Sequence, residues 1–348
     1  DDAFLPMLPQ LREGCTTVKH FVYGDDGATP DGMLNYEELL KSGDAIADAQ
    51  RGGDDVMGIF YTGGTTGRSK GVLLTHDNVV INAMNAIVSL HYQSDDTYLH
   101  AAPMFHLADG ASTYACTLVA GTHAFIRAFE PELTLKTIAD FKVTRVTLVP
   151  TMINMLVNHP KVNDYDISSL RAVLYGASPI PVAVLRKALT TLGCNFAQGY
   201  GMTELSPLTT VLPPEEHRHA EDSEFASRLK SAGVPVPTAE VRVSDDNDVE
   251  VPQGEVGEIC VRGPMVMKGY LNMPEATAEA LKGGWMHTGD MGYFDEHGFL
   301  YLVDRSKDMI ISGGENIYSV EVEAAIYQHA AVLEAAVVGI PNEQWGEA

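Results

Sequence analysis

From Tyr61 to Gly71 the chain reads Tyr-Thr-Gly-Gly-Thr-Thr-Gly-Arg-Ser-Lys-Gly, four glycines among three threonines with a lysine near the end. Glycines such as Gly63, Gly64 and Gly67 let the backbone approach a ligand with no Cβ in the way. Successive backbone N–H groups in such a loop form an anion-binding concavity. The hydroxyls of Thr62, Thr65 and Thr66 add freely rotating donors, and Lys70 adds a point charge. This chemistry suits a polyphosphate. The spacing is not that of a Walker A loop, where lysine directly follows glycine; here Arg68 and Ser69 separate Gly67 from Lys70. A Gly/Thr tract can also be a plain surface loop. The flanks favour a binding role. Residues 56–61 read as a buried strand and Val72-Leu73-Leu74 resumes an apolar run, so the loop is held between strands.

A second group lies at Gly199-Tyr200-Gly201-Met202-Thr203-Glu204. Tyr200 between two glycines offers a ring for stacking on a purine, Thr203 a hydroxyl, and Glu204 a carboxylate suited to Mg²⁺ beside phosphates. A tight turn with a solvated glutamate is the plainer alternative. In Thr288-Gly289-Asp290, the Asp290 carboxylate can form a turn or accept both hydroxyls of a ribose. His106 follows Pro103-Met104-Phe105 after an expected strand and is either packed or part of a site. The charged run 304–308 at another strand end is, taken alone, surface.

The elements that must position these groups alternate between strand and helix. Strands are expected over 98–102, 146–149, 172–175 and 195–198. Helices are expected over 79–90 (capped by Asp77 or Asn78), from Glu130-Pro131, over 152–157 and from Pro181. Such alternation implies a parallel α/β sheet, whose ligands lie beyond the carboxyl ends of the strands. The glycine-bearing segments 176–178 and 199–204 fall at such ends. Residues 1–55 are acidic and turn-rich, with a weak strand pattern over 17–23 and a short helix over 35–40. The segment 213–228 reads as a solvated loop. Short β segments follow, suggesting a small barrel, and 332–339 reads as a strand.

A chain of 348 residues with 45% apolar and 20% charged residues describes a globular protein of more than one domain. The net charge of −24 argues against nucleic-acid partners and anionic membrane surfaces. No apolar run approaches the roughly 18 residues of a spanning helix. Cys15, Cys116, Cys194 and Cys260 are far apart, and no Cys/His ligand spacing suggests zinc, so a reducing cytoplasmic setting fits. The abrupt start at Asp1 and end at Ala348 read as a fragment of a longer protein.

The glycine loop closely resembles the Tyr-Thr-Ser-Gly-Thr-Thr-Gly-x-Pro-Lys-Gly signature of the adenylate-forming (ANL) superfamily, which holds acyl-CoA synthetases, peptide-synthetase adenylation domains and beetle luciferases. Gly63 replaces the serine and Ser69 the proline; the double-glycine form looks like the fatty-acid branch. Residues 200–204 match the Tyr-Gly-x-Thr-Glu signature, and five separated motifs agree in order from about residue 56 to 348. The resemblance implies a large domain over 1–303, built of parallel α/β sheets with a β-rich subdomain at about 235–303. A hinge and the beginning of a small α+β domain follow over 304–348.

The resemblance also implies roles. Lys70, Thr203, Glu204 and Lys307 would serve catalysis, with Glu204 and Thr62 on Mg²⁺ and Lys307 as the hinge pivot. The loop 62–67, Gly176, Ala177, Ser178, Gln198, Gly199, Tyr200, Gly201, Asp290 and Arg305 would bind nucleotide. His106, Gly201 and Met202 would border the acyl group, together with small residues at 108–111, and Gly313 and Gly314 would approach coenzyme A. The implied reaction joins a carboxylic acid, a fatty acid in this branch, to the α-phosphate of ATP. It releases pyrophosphate, then passes the acyl group to coenzyme A. Alternatives are loading of a carrier-protein thiol or a non-catalytic nucleotide-binding fragment. Oligomeric state is open, a homodimer included. The family's C-terminal catalytic lysine has no counterpart, since no Lys or Arg follows Lys307, so the fragment itself is expected to be impaired.

Overall fold

Buried side chains alternate between the two faces of the central strands, and the helices follow that alternation. The computed structural model describes residues 2–63, 69–176, 180–218, 228–305, 310–312, 315–317, 319–326, 329, 332, 335–342 and 346–347, in two units, 1–51 and 52–348. The first unit holds helix α1 (Leu8–Gly14), a parallel pair β1 (Val22–Tyr23) and β2 (Leu34–Asn35), and helix α2 (Tyr36–Ser42). The Asn35 side chain caps α2 by accepting from the Glu38 N–H at 3.0 Å. The strand expected over 17–23 is confined to its last two residues, which are the ones paired with β2.

The second unit opens with the hairpin β3 (Val56–Thr62) and β4 (Lys70–Thr75), in register from Val56↔Thr75 to Thr62↔Lys70. Both ends of the glycine loop are therefore fixed. The burial expected of β3 is not found: Val56 and Ile59 are 43% and 45% exposed. β3 is an edge strand, whereas β4 is paired on both sides and buries Val72 and Leu74 completely. Helix α3 (His76–Leu90) is capped by Thr75 rather than by Asp77 or Asn78. Thr75 Oγ1 accepts the Asn78 N–H at 3.1 Å while Asn78 Oδ1 accepts the Thr75 N–H at 2.9 Å, a reciprocal capping box.

Next come β5 (Thr97–His100), α4 (Leu107–Leu118), β6 (Thr122–Phe125), α5 (Pro131–Phe141), β7 (Arg145–Leu148), α6 (Pro150–Val157), β8 (Ala172–Gly176), α7 (Val182–Leu192) and β9 (Asn195–Gly201). These strands are parallel, in the order β9-β8-β7-β5-β6. Leu99, Val173, Tyr175 and Phe196 pack with Leu135, Ile153 and Leu185 of α5, α6 and α7. Their neighbours Tyr98, Leu174 and Ala197 pack with Ala83 of α3 and Ala115 of α4. Successive residues of a strand point to opposite faces, so one run of sequence feeds both helical layers. The chain runs outward from β5 to β6 and then returns to β7 on the other side of β5, leaving a topological switch beside β5.

The sheet is mixed rather than purely parallel. β10 (Leu208–Leu212) returns antiparallel to β9, and β11 (Val234–Pro235) pairs antiparallel with β10. β9 also runs on through Gly199, Tyr200 and Gly201, because β10 supplies hydrogen bonds where the sequence suggests a loop. The segment after Pro213 holds helix α8 (Pro214–Arg218) with His217 buried, correcting the reading as a solvated loop.

The β-rich region contains β12 (Glu240–Ser244), β13 (Gly257–Arg262), β14 (Gly269–Tyr270), helix α9 (Pro274–Ala280), β15 (Met286–Phe294) and β16 (Leu300–Arg305). Among the described residues it forms no closed barrel. β12-β13-β15-β16 make a four-stranded antiparallel sheet, and β14 joins the hairpin sheet beside β4. Last come β17 (Ile310–Ser312), β18 (Glu315–Ile317), α10 (Ser319–Ile326), β19 (Pro341–Asn342) and β20 (Gly346–Glu347), with strand order β18-β17-β20-β19. The strand expected over 332–339 is not observed at the described positions there.

Candidate active site

The carboxyl ends of β5, β8 and β9 carry His106, Gly176, Thr203 and Glu204 in or just after them, while Thr62 and Lys70 come from the β3–β4 hairpin and Asp290 from β15. The β5 end leads through Pro103 to His106, which caps α4 by accepting the Ala108 N–H on Nδ1 at 3.1 Å. His106, Phe105 and Leu107 line an open cleft with Phe60, Tyr61, Thr62, Gly63 and Thr203. The hairpin end, the segment after β5 and the segment after β9 thus converge on one cleft beside the topological switch.

Glu204 sits in a short 3₁₀ turn, Thr203–Leu205, directly after β9. It is 5% exposed, and Oε1 accepts the Tyr270 hydroxyl at 2.8 Å. Tyr270 pairs with Val72 across β14 and β4, and Lys70 lies two residues before Val72 on the same face. The Lys70 ammonium accordingly stands 4.7 Å from the centre of the Tyr270 ring. Burial, and then the Glu204 carboxylate, raise the Tyr270 pKa, so the phenol remains a proton donor at neutral pH. Lys70, Tyr270 and Glu204 form one continuous group. The contact of Tyr270 with Glu204 depends on a pairing between residues about 200 positions apart in the chain, which no local pattern announces.

Tyr200 is buried at 9% exposure, and its hydroxyl donates to Asp290 Oδ2 at 2.8 Å. Two residues expected to bind nucleotide are therefore in contact. Asp290 stands in register with Arg305 across β15 and β16. Gly176 faces Gly199 across β8 and β9, and a Cβ on Gly176 would lie 2.3 Å from the Gly199 carbonyl oxygen. Gly201 has φ +156°, and a Cβ there would meet the Pro207 carbonyl oxygen at 1.8 Å. These two glycines let the site strands and the return into β10 close up. Gln198 is half-buried in β9, and Met202 precedes the Thr203 turn.

Asp109 and Gly110 are packed against β5 and the segment before α4. Asp109 is fully buried, accepting the Tyr98 hydroxyl at 3.0 Å and lying 2.7 Å from His100 Nδ1. A Cβ on Gly110 would sit 2.4 Å from the Met104 carbonyl oxygen. Gly64, Thr65, Thr66, Gly67, Ala177, Ser178, Lys307, Gly313 and Gly314 lie outside the described residues.

Comparison with known proteins agrees with this arrangement. Feruloyl-CoA synthase of Amycolatopsis sp is 43% identical over 311 residues, 89% of this chain and 62% of that protein. The medium/long-chain-fatty-acid–CoA ligase FadD8 of Mycobacterium tuberculosis is 40% identical over 296 residues, 85% of this chain and 50% of its own length. The chain thus spans roughly half to three fifths of these relatives. Among solved structures, O-succinylbenzoate coenzyme A synthetase MenE of Bacillus subtilis, in complex with ATP and magnesium ion, superposes with a TM-score of 0.82. It is 32% identical, over 97% of this chain and 70% of that one. Amide bond synthetase McbA of Marinactinospora thermotolerans gives 0.82 at 31% identity, over 99% of this chain and 66% of its own. The profile of the AMP-binding enzyme family matches residues 2–271, further towards the N-terminus than the motifs alone reach, and that of the AMP-binding enzyme C-terminal domain matches 321–348. A match over so much of the chain, on a fold that sets the glycine hairpin and the Thr203–Glu204 turn at strand ends and Asp290 within β15, means that this protein belongs to the AMP-binding enzyme family.

Proposed function

We propose that the protein containing this chain is an acyl-CoA synthetase. It activates a carboxylic acid, a fatty acid by its double-glycine loop, through ATP and Mg²⁺ to an acyl-adenylate, then transfers the acyl group to coenzyme A. The observation that carries this reading is the Lys70–Tyr270–Glu204 group beside a cleft lined by Thr62 and Thr203. FadD8 and feruloyl-CoA synthase, both CoA-thioester-forming by name, support the choice of acceptor.

The donor set fits Mg²⁺: a buried carboxylate oriented through one oxygen, with two threonine hydroxyls lining the neighbouring cleft. When bound, the ion supplies charge neutralisation where an anionic acid meets a polyphosphate. Thr62, Gly63 and the rest of the loop would hold the phosphates through N–H and hydroxyl donors. Lys70 would place its positive charge where negative charge grows on the α-phosphate. Asp290, oriented by the Tyr200 hydroxyl, would accept from the ribose, with Arg305 beside it, while Gly176, Gln198 and Gly199 border the base. His106, Gly201 and Met202 would bound the acyl end. Lys307 would act as pivot between a large domain over 1–303 and a small domain over 304–348, with Gly313 and Gly314 turned towards coenzyme A in the second step. The setting proposed is cytoplasmic, in keeping with four cysteines that are all free thiols. A homodimer is the assembly to test by light scattering.

The deciding assay is carboxylate-dependent ATP–pyrophosphate exchange by the gene product that contains these residues, with fatty, short-chain and aromatic acids. Exchange that requires a fatty acid, and falls at least a hundredfold in Glu204→Ala, is the expected result. ATP binding without exchange on any acid would favour a non-catalytic module. Exchange without thioester formation on free coenzyme A would favour a carrier-protein acceptor.

A further inference from the structure

Away from the cleft, the four-stranded sheet gathers a mixed set of metal-ligating side chains that the mechanism above does not use. Cys260 of β13 and His287 of β15 are directly opposed in the register, so both side chains stand on one face. Asp248, from the turn after β12, reaches the same spot. One donor atom from each of Asp248, Cys260 and His287 lies within 4.8 Å of the others. His287 Nε2 is 3.8 Å from Asp248 Oδ1. Cys260 Sγ is 3.5 Å from Nδ1 of the same ring. Ligand atoms around a tetrahedral zinc ion stand roughly 3.3–3.8 Å apart, as its bond lengths require, so a turn of the Cys260 side chain towards Nε2 is needed to close this set on a cation.

Two further observations point to a ligand. Glu258 Oε2 is 2.8 Å from His287 Nδ1, which places the imidazole proton on Nδ1 and leaves a lone pair on Nε2. Nε2 is inaccessible to solvent and has no hydrogen-bond partner. A buried acceptor with nothing to accept is costly, and a histidine that ligates a metal almost always donates its other ring N–H to a carboxylate, carbonyl or water, as Nδ1 does here to Glu258. The charges also balance. Arg242 is hydrogen-bonded to Asp248 and stands opposite Cys260 across β12 and β13, so a divalent cation that displaces the Cys260 thiol proton would balance the Asp248 and Glu258 carboxylates and the thiolate against one guanidinium.

We propose that Asp248, Cys260 and His287 form a divalent transition-metal site, for zinc by its mixed S, N and O donors, with Glu258 as the residue that orients His287. Its place in the molecule gives it a consequence. Glu258 Oε1 also accepts the Gly289 N–H at 2.9 Å, one residue before Asp290. A cation here ties β13 and β15 together beside the irregular stretch of β15 that carries Asp290. The site stands on its own geometry and does not depend on the reaction proposed above.

The test uses untagged, chelator-stripped protein titrated with Zn²⁺ and, separately, with Co²⁺. Expected are one retained equivalent of Zn²⁺ by elemental analysis after gel filtration, and a thiolate-to-cobalt charge-transfer absorption. Both should vanish in Cys260→Ser, and Asp248→Asn, in a turn where folding is least at risk, should weaken Zn²⁺ binding at least tenfold. Cys194→Ser should change neither. Absence of the cobalt band in the wild type, or its persistence in Cys260→Ser, overturns the proposal. Should Cys260→Ser not fold, unchanged Zn²⁺ affinity in both Asp248→Asn and His287→Gln overturns it equally.

Discussion

At the scale of single residues, the group to test is the hydroxyl that Tyr270 gives to Glu204. A hydrogen bond to a charged, buried partner contributes about 1.5–3 kcal/mol. Tyr270→Phe keeps the ring under the Lys70 ammonium and removes only that bond. Pyrophosphate exchange is expected to slow by about ten- to a hundredfold, with the loss reduced at high Mg²⁺ and the melting temperature lowered only slightly. An unchanged rate at limiting Mg²⁺ would remove Tyr270 from the site. His217 offers a second residue-scale test. It is buried, with Nδ1 bonded to the Pro213 carbonyl at 2.9 Å and Nε2 to the Tyr175 hydroxyl at 3.0 Å. Burial lowers its pKa from 6.5 to about 4, so the folded protein resists a proton that the unfolded chain accepts. The stability this gives is complete above pH 6.5 and is lost as pH falls towards 4, up to about 3 kcal/mol. Urea unfolding at pH 7 and pH 4.5 should show a smaller acid loss in His217→Gln than in the wild type; equal losses would contradict the assignment.

At the scale of elements, the C-terminal end of α3 is joined to β7 through one buried charge. Arg145 donates to Asp96 and to the Leu90 and His91 carbonyls, while Asp96 also accepts from Thr144 Oγ1 and the Gln93 N–H, both at 2.8 Å. Removing one member leaves the other charge buried and uncompensated, which costs about 3–5 kcal/mol. Asp96→Ala is therefore expected to lower the unfolding free energy from denaturant titration by that amount; a change under about 1 kcal/mol would mean that solvent already reaches the pair. The tight closure at β9 makes Gly201→Ala a parallel case. The new methyl group would overlap the Pro207 carbonyl oxygen, so the turn carrying Thr203 and Glu204 must shift. Exchange activity should fall more than tenfold even where the variant still folds.

On the scale of the whole molecule, the net charge of −24 dominates. Self-repulsion opposes the compact state, and salt screens it over about 8–10 Å. Raising NaCl from about 0.01 M to 0.2 M should increase the melting temperature by a few degrees; a flat or falling response would mean that the ion pairs outweigh the repulsion. No helix among the described residues is long and apolar enough to cross a membrane. The same negative field sharpens the role of Lys70, a cation placed where a polyanion must dock in a molecule that otherwise repels it.

Local composition by itself determined a good deal of this protein. The glycine loop announced phosphate chemistry because only glycine permits so open a backbone. The alternation of strands and helices announced a parallel α/β sheet because periods of two and 3.6 are written into successive residues. The family followed from motifs whose order survives in one dimension. What needed the tertiary structure were the contacts made by register. The Tyr270–Glu204 bond, the extension of β9 through Gly201 against β10, and the edge position of β3 all depend on which distant strand lies alongside. The Asp248–Cys260–His287 cluster is the clearest example. Its cysteine and histidine are 27 residues apart in no recognisable ligand spacing, so the sequence argued against zinc. They meet because an antiparallel pair places one opposite the other, and strand pairing is decided by the burial of whole faces rather than by neighbours in the chain.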